Sequence, residues 1–172
     1  RFVVFRICVI AALLMSVLSP AGAADEAATH AKIQTSLGDI VVELEPEIAP
    51  ATVENFLRYA TDGHYDRTLM HRVVTGFVIQ GGGYSRFYSE RPTRDPIPYE
   101  GDKGLKNVRG TIAMARSDSR DSAAAQWFIN LRDNPKLDHS MFEGLPVYGY
   151  AVFGHVVEGM EVADAIGAVE TG

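Results

Sequence analysis

One basic residue stands inside an apolar run. From Met70 to Gly83 the chain reads Met-His-Arg-Val-Val-Thr-Gly-Phe-Val-Ile-Gln-Gly-Gly-Gly, with Arg72 ahead of the β-branched pair Val73-Val74. Gly76 interrupts, and Phe77-Val78-Ile79 resumes before Gln80 and three glycines. Short β-branched and aromatic runs bounded by glycine specify strands, so this stretch is read as two short strands, or one bent strand, ending in a loop. A strand is a rigid mount for a functional side chain. Spacing alone leaves Arg72 open between a surface charge on an edge strand and a functional group. Phe77 and Gln80 are three apart, so simple alternation does not put them on one face, and a bulge near them is expected.

The same strand-length punctuation recurs along the chain. Strands are expected at Lys32–Thr35, Ile40–Leu44, Thr111–Ala115, Gln126–Leu131 and Tyr150–Val157, the last interrupted by Gly154. Two segments differ. Pro50 suits a first helical position, Val53, Phe56, Leu57 and Ala60 then recur at helical spacing, and Gly63 closes the segment. Gly159 to Ala168 reads as a second, short helix. Between the strands lies a long loop, Gly83 to Val108, with Pro92, Pro96 and Pro98 and little periodicity; loops of this length are usually functional or mobile. Arg86, Arg91 and Arg94 in it are read as solvated. Many short strands with two helices imply a mainly β fold, a closed antiparallel barrel.

The N-terminus reads as a targeting segment. Arg1 and Arg6 precede an apolar run, Ile7 to Leu18, and Ala21-Gly22-Ala23 supplies a small-residue cleavage site, which together describe a secretory signal peptide over 1–23. The run is short for a membrane span, which needs about 20 residues; an uncleaved signal anchor is the rival reading. Residues 24–30 form a polar linker, and 31–172 the folded domain. Cutting after Ala23 removes two arginines and no acid, so the formal charge goes from −6 to −8. An acidic domain without a basic patch gives no reason to expect nucleic acid as a partner. The only cysteine, Cys8, falls inside the signal, which excludes thiol catalysis and cysteine-based zinc sites from the domain. No His-Glu-x-x-His motif, nucleophile elbow or phosphate loop occurs, and no metal or cofactor is expected.

Four blocks carry a resemblance. His71, Arg72, Gly76, Phe77, Gln80, Gly81 and Gly82 match, in identity and spacing, the signature F-H-R-x-x-x-G-F-x-x-Q-G-G of the cyclophilins, with Met70 in place of the first Phe. Gly110–Arg116, Gln126–Asn130 and Tyr150–Met160 match as well. The chain thus resembles a cyclophilin-type peptidyl-prolyl cis-trans isomerase over roughly Ala31 to Ala168, and most resembles bacterial, periplasmic members. The resemblance implies an eight-stranded barrel capped by two helices, whose last strand pairs back to the first. No such strand follows the second helix before Gly172, so the domain is expected to be C-terminally truncated, with one edge of Lys32–Thr35 unpaired.

The resemblance also implies the site. Arg72, Phe77 and Gln80 would be catalytic. His71, Val78, Ala115, Arg116, Gln126, Phe128, Leu137 and Tyr150 would bind the substrate. Val78 stands where the family usually has Met, Arg116 where it more often has Asn, and Tyr150 where many eukaryotic members have His. Lys136 replaces an aromatic residue, often Trp, of the family's ciclosporin pocket. Trp127 cannot substitute, because it neighbours Phe128 on a strand and so faces the other way. The expected function is rotation about X-Pro bonds in proline-containing polypeptides, assisting the folding of exported proteins. The expected setting is the periplasm or the extracellular space, as a monomer free of the membrane after signal cleavage. The alternative is a module that holds proline-containing segments without turning them over. An intact Arg72 favours catalysis, since binding alone has no need of it.

Overall fold

The computed structural model describes residues 30–171 in full and the backbone of residues 6–8. Among the described residues ten strands form: β1 (Arg6–Cys8), β2 (His30–Thr35), β3 (Gly38–Leu44), β4 (Arg72–Val74), β5 (Val78–Gly81), β6 (Thr111–Met114), β7 (Trp127–Asn130), β8 (Ser140–Phe142), β9 (Leu145–Val147) and β10 (Val152–Glu158). Two α-helices join them, α1 (Pro50–Thr61) and α2 (Met160–Gly167), with a short 3₁₀ helix at Pro135–Leu137. Every strand read from the sequence is present, within two residues at each end. The hairpin β8–β9 and the 3₁₀ turn were not legible there.

Eight strands make one antiparallel sheet in the order β1-β2-β3-β10-β6-β7-β5-β4. Alternation sets its faces: Ala31 and Ile33 of β2 and Ile40, Val42 and Leu44 of β3 are buried, with partly exposed residues between them. Gly154 lies in β10 because a Cβ there would come within 2.4 Å of the Glu43 carbonyl oxygen on β3. The pairing of β10 with β6 shifts register between Val152 and Gly154, so the glycine marks an irregularity in the strand, not its end. One sheet face is covered by α1 through Val53, Phe56, Tyr59 and Ala60, and by α2 through Ala163 and Ile166. Trp127 and Phe56 meet edge to face there, centroids 6.5 Å apart.

Three expectations are corrected. The eight-stranded sheet is a curled, open half-barrel, not a closed barrel: its end strands, β1 and β4, do not pair with each other. Each is only three residues long, which leaves little backbone to close a ring. The outer edge of β2 is not unpaired, because Arg6, Ile7 and Cys8 run antiparallel to Gln34, Ile33 and Lys32. The rest of the expected signal peptide, 1–23, and of the linker, 24–30, lies outside the described residues, apart from His30. The long loop is also not simply solvated. Arg91 donates to the Asp66 carbonyl at 2.8 Å, and Arg94 pairs with Asp62 and lies 4.8 Å over the Tyr59 ring. Buried Glu100 accepts from the Thr52 amide (2.9 Å) and hydroxyl (2.7 Å). A carboxylate from the loop thus caps the first turn of α1, which has no side-chain cap of its own.

Candidate active site

On the face of the sheet away from the helices, alternation leaves a second apolar set: Val78 of β5, Ala113 of β6, Phe128 of β7 and Val152 of β10. Phe77, Ala115, Leu137 and Tyr150 pack against it. Trp127 and Ile129, one residue to either side of Phe128, belong to the helix-covered core instead. These strands therefore bury one face against the helices and offer the other as the floor of a cavity of about 260 Å³.

Nine of the eleven residues expected in the site line this cavity: Arg72, Phe77, Gln80, Val78, Ala115, Arg116, Phe128, Leu137 and Tyr150. Phe77 arrives by a different route from the one expected. It sits in the three-residue turn between β4 and β5, where Gly76 takes φ 65° and the Phe77 amide donates to the Val74 carbonyl at 2.9 Å. The turn, not a bulge, brings Phe77 and Gln80 to one cavity, and the left-handed φ is why a glycine is needed at 76.

Arg72 and Gln80 are cross-strand partners. The guanidinium donates to Gln80 Oε1 at 3.3 Å, and Gln80 Nε2 donates to Gln126 Oε1 at 2.9 Å. Among the described residues no carboxylate pairs with Arg72, so its charge stays available to a ligand in the cavity. Gln126 stands one step behind the wall and lines an adjoining cavity of about 330 Å³ with Gln80, Ala115 and Arg116. His71 is also outside the cavity wall. Its ring lies 4.7 Å from that of Tyr84, and burial pushes its pKa below the ordinary histidine value, with Arg72 adding to the same direction. The geometry matches a neutral histidine that supports the strand next to the site.

Arg116 lines the cavity, but its donors are already committed. Nε donates to the Gly149 carbonyl at 2.7 Å, Nη1 to the Ser117 carbonyl at 2.8 Å and Nη2 to the Tyr148 carbonyl. Its guanidinium also lies 5.4 Å from the Tyr150 ring. Tyr150 in turn meets Phe128 edge to face at 5.4 Å. Arg116 thus holds the segment that presents Tyr150. Lys136 is exposed on the 3₁₀ turn and does not line the cavity.

A buried asparagine network was not anticipated. Asn130 Nδ2 donates to Asn107 Oδ1 (3.2 Å) and Thr111 Oγ1 (2.9 Å), while Asn134 Nδ2 donates to Asn130 Oδ1 (2.7 Å) and to the Phe77 carbonyl (3.2 Å). Asn107 Nδ2 reaches the carbonyls of Leu137 (3.0 Å) and Tyr150 (3.3 Å). Three wall residues are thereby held through one network. Asparagine is depleted from strands, so Asn130 at the end of an apolar strand was the available signal.

The comparisons agree with this geometry. The sequence profile of the family described as "Cyclophilin type peptidyl-prolyl cis-trans isomerase/CLD" matches residues 30–172. The chain is 47% identical to the "Peptidyl-prolyl cis-trans isomerase A" of Dickeya dadantii, over 95% of this chain and 83% of that one. It is 49% identical to the "Peptidyl-prolyl cis-trans isomerase B" of Escherichia coli, over 80% and 84%. Among solved structures, a Cryptosporidium parvum cyclophilin type peptidyl-prolyl cis-trans isomerase, crystallised in the presence of the dipeptide Ala-Pro, aligns with a TM-score of 0.68 at 25% identity. That alignment covers 83% of this chain and 87% of the other. The family match over residues 30–172 and the relatives at 47% and 49% identity, on a sheet that carries a cavity with an apolar floor and Arg72 at its edge, show that the chain belongs to the cyclophilin-type peptidyl-prolyl cis-trans isomerases.

Proposed function

We propose that Arg72 supplies the catalytic charge for X-Pro rotation and that the enzyme acts on exported polypeptides outside the cytoplasm. Rotation must break amide resonance, over a barrier of ~18–20 kcal/mol, with no bond made or cut. In the twisted state the nitrogen regains its lone pair. A fixed cationic donor aimed at that nitrogen stabilises the twisted state over the planar one. Arginine stays protonated and presents a rigid fork. Phe77, Phe128 and Leu137 hold the pyrrolidine ring and exclude water, while Gln80, steadied by Gln126, keeps Arg72 aimed and meets the substrate backbone. The single observation that carries the assignment is an Arg72 guanidinium held by Gln80 at the rim of a cavity with an apolar floor. Arg72→Ala should lower the turnover of a proline peptide about 100-fold with an unchanged circular dichroism spectrum. Near wild-type turnover in this variant removes the role.

Export rests on the basic start, the Ile7–Leu18 run and the Ala21-Gly22-Ala23 site. Fractionation followed by N-terminal mass spectrometry should find a periplasmic or secreted species beginning at Ala24. A cytoplasmic chain with an intact N-terminus refutes this location.

A further inference from the structure

Phe77 is the proposed seat of the proline, yet the turn that carries it has little to brace it. Thr75 and Gly76 are exposed, and nothing stands within 4 Å of where a Gly76 Cβ would lie. The position of Phe77 is therefore set from outside the turn. Its carbonyl accepts from the Leu131 amide at 2.9 Å and from Asn134 Nδ2 at 3.2 Å.

Asn134 is buried and stands at the start of the 3₁₀ helix Pro135–Leu137. An asparagine in that place ordinarily turns its side chain back onto the helix amides; this one makes no such bond. Its side-chain amide engages three other groups instead. Nδ2 donates to the Phe77 carbonyl and to Asn130 Oδ1, and Oδ1 accepts from Arg132 Nε at 3.1 Å. That last bond aims an exposed arginine. The Arg132 guanidinium carbon lies 5.6 Å from the centroid of the Phe77 ring, within the range of a cation–π contact. Among the described residues no carboxylate pairs with Arg132. Arg132 does not line the cavity that Phe77 lines, so it meets the ring from outside. One buried amide thus grips Phe77 twice, directly at the carbonyl and through Arg132 at the ring.

We propose that Arg132 is a positioning residue for the isomerase reaction: held by Asn134, it fixes the Phe77 ring as the seat of the substrate's proline. This rests on the role given to Phe77 above. A planar guanidinium can stack on a ring while its Nε–H is bonded at the edge. The pyrrolidine touches its seat in the planar and the twisted states alike, so a loosened seat weakens binding in both. The loss falls on KM and leaves kcat, which depends on Arg72, unchanged.

Exchange NMR on a blocked peptide with a central Ala-Pro and no charged side chain tests this, since Arg132 then has no ionic partner in the substrate. Arg132→Ala should raise KM about fivefold at wild-type kcat. Arg132→Gln reads the same loss should the alanine variant lose its circular dichroism spectrum. Phe77→Leu keeps an apolar seat without the ring and should raise KM by itself. Adding Arg132→Ala to Phe77→Leu should raise KM no further, because the ring through which Arg132 acts is gone. A wild-type KM in Arg132→Ala, beside a raised one in Phe77→Leu, overturns the proposal and leaves the role of Phe77 standing. So does an undiminished loss in the Phe77→Leu background, which would mean that Arg132 meets the substrate or the fold directly. A wild-type KM in Phe77→Leu removes the seat itself, and the proposal with it.

Discussion

Arg116 and Tyr150 are two of the positions where the chain departs from the commoner family residues, and the structure makes these two departures one feature. All three donating nitrogens of Arg116 end on backbone carbonyls, two of them on the Tyr148-Gly149 segment that leads into Tyr150. Arg116→Ala frees that segment, so Tyr150 should lose its edge-to-face seat on Phe128. The expected result is a KM about tenfold higher on a proline peptide with kcat nearly unchanged, because Arg72 is untouched. A kcat loss without a KM change would assign Arg116 to the reaction itself. Lys136 raises a different question. It is exposed and outside the cavity wall, so a ring placed there would add apolar surface at the rim. Ciclosporin should inhibit the wild-type chain weakly and Lys136→Trp more tightly, by about tenfold in the inhibition constant; equal constants would show that the rim position does not matter.

At the scale of elements, the long loop decides how firmly α1 starts. Ala49, at the N-cap position, offers no side-chain acceptor, and the Glu100 carboxylate serves the first turn from the loop. Glu100→Ala leaves the Thr52 amide and hydroxyl buried without that acceptor. It should cost about 2 kcal/mol, read as a lower urea midpoint at constant slope. A loss below about 0.5 kcal/mol would mean that water replaces the carboxylate. The asparagine network behaves as an element of the same kind. Asn107→Ala strips a donor from the Leu137 and Tyr150 carbonyls at the base of β8–β9, so stability and substrate affinity should fall together.

For the whole molecule, pH sensitivity follows from two half-buried histidines, His64 and His71. Burial lowers the pKa of His64, with Arg91 acting in the same direction, and that of His71. Both folded values therefore lie below the unfolded value of 6.5. A group depressed in this way adds stability that is complete above pH 6.5 and is lost as the pH falls below it, where the unfolded chain binds more protons. The melting temperature should be flat from pH 8 to 7 and fall from 6.5 toward 5, and His71→Asn should flatten part of the slope. A melting temperature that rises on acidification would contradict the burial of these rings. The Arg109–Asp164 pair, bidentate at 2.9 and 2.7 Å, also lowers the Asp164 pKa, but both side chains are nearly half exposed and water screens most of its effect. Edge pairing is the other global property. A chain beginning at Ala24 lacks β1, leaving the outer backbone groups of β2 unpaired. It should melt lower than the full chain or associate with increasing concentration.

What the sequence determined by itself was the local chemistry. Period-two alternation, glycine punctuation and the Val53–Ala60 stripe marked the main strands and both helices, because those signals act between near neighbours. The Arg72–Gln80 signature and three further blocks marked the family and span eight of the cavity's nine lining residues, all but Leu137, because a motif is a run of fixed spacing. Tertiary structure decided whatever depends on distant segments meeting. It put Phe77 on a turn instead of a bulge, since the β4–β5 register is set by pairing and not by alternation. It joined Asn107 to Asn130, 23 residues on, and through it to the neighbouring Asn134 in one network, and it brought Glu100 to the start of α1. It left the sheet an open half-barrel, since closure depends on hydrogen bonds between end strands that no local pattern encodes.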